Sequence, residues 1–166
     1  MKNLCMLVAI AGLSVSSLAL FGCDKNKSDS KSNTVASKSL WDRLGGEKNV
    51  RKVVDDFVGR SASDLEVNFT RKGIPGVKEV QLTDASVAAL KQRLVEFISA
   101  NTGGPYKYTG KDMKSSHAGM KITTAQFNKF AGHLKAALDA GGAAPGDRDA
   151  VMGVAASTMK DMVEVP

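Results

Sequence analysis

Only two cysteines and two histidines occur among the 166 residues. Both cysteines, Cys5 and Cys23, lie in or at the end of an apolar leader, so the rest of the chain has no thiol for a disulfide, a zinc cage or redox chemistry. Neither histidine has a carboxylate or a second histidine at metal-ligand spacing, which excludes a bare zinc or non-haem iron centre. Strand-type alternation of apolar and polar residues is essentially missing, and there is no internal repeat. Nor is there a basic stripe interleaved with aromatics. The formal net charge is +6, of which Lys2 and the polar segment 24–39 carry half, leaving +3 for the remainder. That distribution argues against a nucleic-acid partner.

What is present begins with Met1, Lys2 and the run "LCMLVAIAGLSVSSLALFG" before Cys23. A positive start, an apolar stretch and a small residue at the end predict a signal peptide over residues 1–22. Leu20-Phe21-Gly22-Cys23 resembles the lipobox of bacterial lipoproteins, which implies cleavage before Cys23 and lipidation of its thiol. Phe21 departs from that pattern, and an uncleaved anchor is the alternative. Asp24 resembles the signal that keeps such lipoproteins in the inner membrane. Residues 23–39, the lipidated cysteine and "DKNKSDSKSNTVASKS", are too polar to bury a core and are expected to form a flexible tether near anionic headgroups. The expectation is an exported domain, residues 40–166, anchored on the periplasmic side of the inner membrane.

The domain reads as all-α. Val50, Val53, Val54, Phe57 and Val58 form the stripe of a helix packed on one side. A long loop follows. Asp84 or Ser86 is expected to cap a second helix, with Val87, Leu90, Leu94, Phe97 and Ile98 on one face and Gly103-Gly104 as its stop. Thr123 and Gln126 match a capping box before a third helix bearing Phe127, Phe130, Leu134 and Leu138. Pro145 suits the first turn of a fourth, whose inward face runs from Val151 to Met162.

Between the second and third helices lies "GGPYKYTGKDMKSSHAG", residues 103–119, which fits no regular helix. A loop of this length in a compact domain is functional or disordered, and its tyrosines, Met113 and His117 argue against disorder. A lone histidine is ordinarily a surface or hydrogen-bonded residue, which is the alternative for His117, and it suffices as a metal ligand only if the metal arrives inside a macrocycle that supplies the other nitrogens. Without Cys-x-x-Cys-His, such a haem is held non-covalently.

"LWDRLGG", "VVDDFVGR", "VEFISANTGGPYKYTGKDM", "HAGMKIT" and "FNKFAGHLKAAL" together resemble the truncated haemoglobins, in particular group I, over residues 40 to about 163. The resemblance implies a two-over-two helical sandwich around haem b, with His117 as the proximal iron ligand and His133 structural. Phe57 and Phe69 match aromatics that wall the haem. Tyr108, Met113, Ile122 and Phe127 match proximal and edge contacts, with plain core packing the alternative for each. Gly45-Gly46 and Gly103-Gly104 match the family's hinges. Arg93 and Lys111 stand where they can pair with the haem propionates or simply be solvated. Residues 71–83 look like an insertion.

The resemblance also exposes a departure. Where group I proteins usually carry a Tyr and a Gln that hydrogen-bond the bound gas, this chain has Val58, Leu90 and Leu94. Losing a donor worth about 1 to 3 kcal/mol implies roughly tenfold to a hundredfold weaker O2 retention; CO and NO lose less. Gln92 or a loop residue is a candidate substitute donor. The implied function is binding of O2, NO or CO, for oxygen transport or NO detoxification. The chain carries no flavin or nicotinamide motif, so a dioxygenase cycle needs an external reductase. Alternatives are a haem-based electron-transfer or gas-sensing module, or a lipoprotein that keeps the fold without haem.

Overall fold

A computed structural model describes residues 37–166; the expected signal peptide, with Cys5, Cys23 and Asp24, lies outside the described residues. The described chain folds into helices α1 (Leu40–Arg43), α2 (Gly46–Ser63), α3 (Asp84–Thr102), α4 (Met113–His117), α5 (Thr124–Ala140), α6 (Pro145–Ser157) and α7 (Met159–Met162). Among the described residues the only strand-type pairing is one parallel bridge between Thr123 and Val165. Helix α2 packs on both α3 and α5, and α5 packs on α6. Two helix pairs are thus stacked, α2 with α3 and α5 with α6.

The apolar stripe of α2 explains why it sits at the centre. Val50, Val53, Val54, Phe57 and Val58 are each no more than 5% exposed, and burying a side chain of this size stabilises the fold by about 1.5 to 3 kcal/mol. They meet Val95 and Ile98 of α3, Leu134 and Leu138 of α5 and Val151 of α6 in one core. A second, smaller cluster forms from Ile122, Phe127 and Met162, with Met113, Met120 and Met159 packed against it.

Caps set the helix limits, with two differences from expectation. The second long helix is capped by neither Asp84 nor Ser86 but by Thr83, whose side chain accepts from the Ser86 amide while the Ser86 hydroxyl accepts from the Thr83 amide. Ser86 is the far half of a reciprocal box. Thr123 and Gln126 make the same arrangement at α5, as expected, and Pro145 occupies the first turn of α6. The last helix does not run through to Met162. It breaks at Thr158, whose hydroxyl donates to the Ala155 carbonyl at 2.7 Å, and α7 begins at Met159.

The Gly103-Gly104 pair turns the chain sharply after α3. Gly103 takes a left-handed φ of 78°, which glycine adopts without strain. A Cβ on Gly104 would stand 2.6 Å from the Trp41 ring and closer still to the Ser99 hydroxyl, so only glycine lets the chain pass. Trp41 in turn meets Tyr106 edge-on at 6.1 Å. The turn therefore aims residues 105–117 back across the mouth between the two apolar clusters.

Candidate functional site

A cavity of about 480 Å³ lies between the two clusters, within the range of small-molecule and cofactor pockets. Phe57, Val58, Leu90 and Leu94 reach it from the larger cluster, and Met113, Met120, Ile122 and Phe127 from the smaller. Phe69, Arg93, Tyr108, Lys111 and His117 line it as well. Every position singled out for cofactor contact in the sequence thus borders this one space. Gln92 does not. Its amide is occupied outside, accepting from Arg51 and donating to Glu96, both at 3.1 Å.

His117 ends a short helix that the sequence pattern concealed. Asp112 caps α4 by accepting from the Ser115 amide at 2.8 Å, so the turn from Met113 to His117 is helical even inside a polar, Gly-rich stretch. One turn back from His117, the Met113 carbonyl oxygen lies 2.7 Å from its Nδ1. A carbonyl only accepts, which puts the ring proton on Nδ1 and leaves the Nε2 lone pair available to a metal. The loop that follows is fastened by Glu164. Its carboxylate accepts from the Gly119 amide at 2.6 Å and the Lys121 amide at 2.7 Å. Those two bonds, then the nearby His117 and Lys121, hold this carboxyl below the usual range. Backbone bonds from Glu164 and Val165 to the Ile122 carbonyl, and from Thr124 to the Val165 carbonyl, complete the clasp.

The electrostatics of the lining are one-sided. Arg71, Arg93 and Lys111 border the cavity, whereas no Asp or Glu among the described residues does. Arg93 is partly spent, since its guanidinium meets Glu96 at 2.8 Å and also Thr109. Hydrogen bonds from Gln92, Arg93 and Thr109 pull the Glu96 carboxyl down to about 2. Tyr108 donates to the Lys111 carbonyl at 2.8 Å and stacks edge-on against Phe97. His133 stands apart from the cavity; its Nε2 lies 2.7 Å from Asp64, tying α5 to the end of α2.

Arg71 is the residue that sequence reasoning missed. It sits in the stretch read as an insertion, with nothing around it to mark a site. Several methionines and apolar residues of α6 and α7, such as Val154 and Met162, also border the cavity and read in the sequence only as core.

Among the described residues no group of three or more His, Cys, Asp or Glu side chains is placed to hold a metal ion. A large apolar cavity with a single available imidazole fits a flat, mostly apolar group that brings its own metal and needs one axial ligand.

Known proteins resemble this chain in sequence and in fold. The model of the bacterial-like globin family matches residues 39–164. The chain is 36% identical over 104 residues to a group 1 truncated hemoglobin of Mycolicibacterium paratuberculosis, covering 63% of this chain and 68% of the relative. It is 30% identical over 122 residues to one from Nostoc commune, covering 74% and 85%. In fold it resembles the Fe(III) form of truncated hemoglobin from Tetrahymena pyriformis, with a TM-score of 0.63 at 24% identity, spanning 76% of this chain and 98% of that one. On the match across residues 39–164, the chain belongs to the bacterial-like globin family.

Proposed function

We propose that this chain is a membrane-tethered haem globin that binds a diatomic gas and favours NO or CO over long-lived O2 retention. Membership of the truncated globin line implies non-covalent haem and gas binding. When bound, haem supplies an iron with one coordination position for His117 and one for the gas. The observation that carries the reading is the Nδ1 bond of His117 to the Met113 carbonyl at 2.7 Å, which leaves Nε2 as the ring atom that could ligate iron.

The chain's own residues do the rest. Met113, Ile122 and Phe127 pack in the smaller cluster and line the cavity with His117, where they would shield its bond to a haem iron from water. On the side of the larger cluster, Val58, Leu90 and Leu94 offer the gas no hydrogen bond. Bound O2 draws the most charge and loses most by that absence, on the order of 1 to 3 kcal/mol. Lys111 is left to answer a haem carboxylate, since Arg93 already answers Glu96.

Absorption spectra of the purified chain in ferric, ferrous and CO-bound forms test the reading. A CO complex with rapid O2 loss is expected. A ferrous iron that refuses CO points to electron transfer, and a chain that stays colourless with hemin defeats the reading. The tether rests on the lipobox-like run ending at Cys23; C23S is expected to move the protein from the membrane fraction to the soluble one.

A further inference from the structure

Arg71 is 4% exposed and borders the cavity, yet none of the ion pairs among the described residues involves it. Its guanidinium is held rigidly by neutral acceptors: the Asn68 carbonyl at 2.8 Å, the Gln126 side-chain oxygen at 3.0 Å, and the Val67 carbonyl. Those contacts use three of the five N–H groups of an arginine, so two have no acceptor among the described residues. The backbone is committed as well, since Arg71 and Asn68 both take left-handed φ, 60° and 46°. Burying a cation among neutral oxygens is costly, and the usual remedy is an opposite charge close by. No carboxylate of the described residues borders the cavity, so an opposite charge would come with whatever fills it.

We propose that Arg71 is the anchor for a planar oxyanion inside the cavity, gripped by the N–H groups that the protein leaves unused. The chemistry is that of a guanidinium fork on two oxygens. Two sources present it: a propionate carboxylate of the haem, or a small free oxyanion such as nitrite. The proposal rests on the haem reading above. It adds a second cationic contact beside Lys111, on a different wall: Arg71 is fixed by the α2–α3 connection and by the first turn of α5, while Lys111 belongs to the segment before α4.

The test uses the full chain and its R71Q variant, each loaded with haem or with haem dimethyl ester, whose propionates carry no charge. Loss of the porphyrin to excess acceptor apoglobin is followed at the Soret band. If a propionate is the partner, R71Q loses haem about tenfold faster and the ester at an unchanged rate. If a free oxyanion is the partner, both loss rates hold while the nitrite affinity of the ferric chain falls about tenfold. Equal acceleration for haem and ester marks a merely structural arginine and overturns the proposal, as does no change in any of the three measurements. Should R71Q not fold, the ¹⁵N resonance of the Arg71 guanidinium in the unaltered chain decides. Loaded with zinc protoporphyrin, it must shift on esterification or on addition of nitrite; a resonance indifferent to both overturns the proposal. A chain that loads normally while R71Q changes nothing sinks this proposal alone. A chain that takes up neither porphyrin sinks the haem reading with it.

Discussion

The carboxylate of Glu164 takes the amide of Gly119 at 2.6 Å, two residues beyond His117. Together with the Lys121 amide, it fixes the loop that leaves the histidine. Lys121 holds a left-handed φ of 50°, a conformation that persists only where the surroundings impose it. E164A removes both acceptors and leaves two amides to find water. The expected result is several-fold faster haem loss with helix content unchanged, read by Soret decay alongside circular dichroism.

H117A is expected to abolish haem uptake by the unaltered fold, giving no Soret band on addition of hemin. Because the ring touches the backbone only through the Met113 carbonyl, its removal leaves the caps of α4 and α5 in place. Free imidazole added to H117A is expected to restore part of the absorbance. A full Soret band in the variant without imidazole refutes the axial assignment.

V58Y places a phenol beside Leu90 and Leu94, where the lining offers only apolar side chains. Val58 is 4% exposed and borders the cavity, so the larger side chain has open volume to enter. One new hydrogen bond worth about 1 to 3 kcal/mol is expected to slow O2 release by about tenfold to a hundredfold. CO release is expected to change far less. Stopped-flow displacement of each gas measures both rates, and an unchanged O2 rate means that another donor already serves the pocket.

Acid is expected to loosen the segment in front of the cavity through Glu96. Its carboxyl is held down to about 2 by hydrogen bonds from Gln92 and Arg93 and by further bonds from Thr109. An acid whose folded-state value is depressed contributes stability that is complete above the ordinary carboxylate value near 4.5 and is lost as pH falls through the folded one. Thermal unfolding midpoints of the wild type are therefore expected to fall between pH 4.5 and 2, and those of E96Q to fall less steeply over the same window.

The four long helices were legible by their apolar stripes, and α5 and α6 by a start signal as well. Val50 through Val58 is such a stripe, and Thr123 with Gln126 and Pro145 are such signals. Local capping was harder to place: Thr83, Asp84 and Ser86 all carry cap-forming side chains, and only the backbone direction before α3 selects the first. Helix α4 was hidden because a single turn has no periodicity; it exists through the Asp112 cap and the packing of Met113, not through propensity. The break at Thr158 was equally silent, since Val154 and Ala155 before it and Met159 and Met162 after it keep a helical spacing across it. Arg71 was out of reach for a different reason. Its burial is created by Val67, Gln126 and a loop that closes over it, and no local pattern encodes contacts between residues 55 positions apart.

The bridge between Thr123 and Val165 gives the site an order of assembly. Gly119 and Glu164 are 45 residues apart, so a chain emerging from the ribosome makes the histidine early and its fastening late. A porphyrin that arrives before residues 163–165 have docked meets a ring on an untethered loop and can leave again. Retention of a bound haem is therefore expected to depend on residues 163–165, and cleavage ahead of them to turn a resident pigment into a transient visitor.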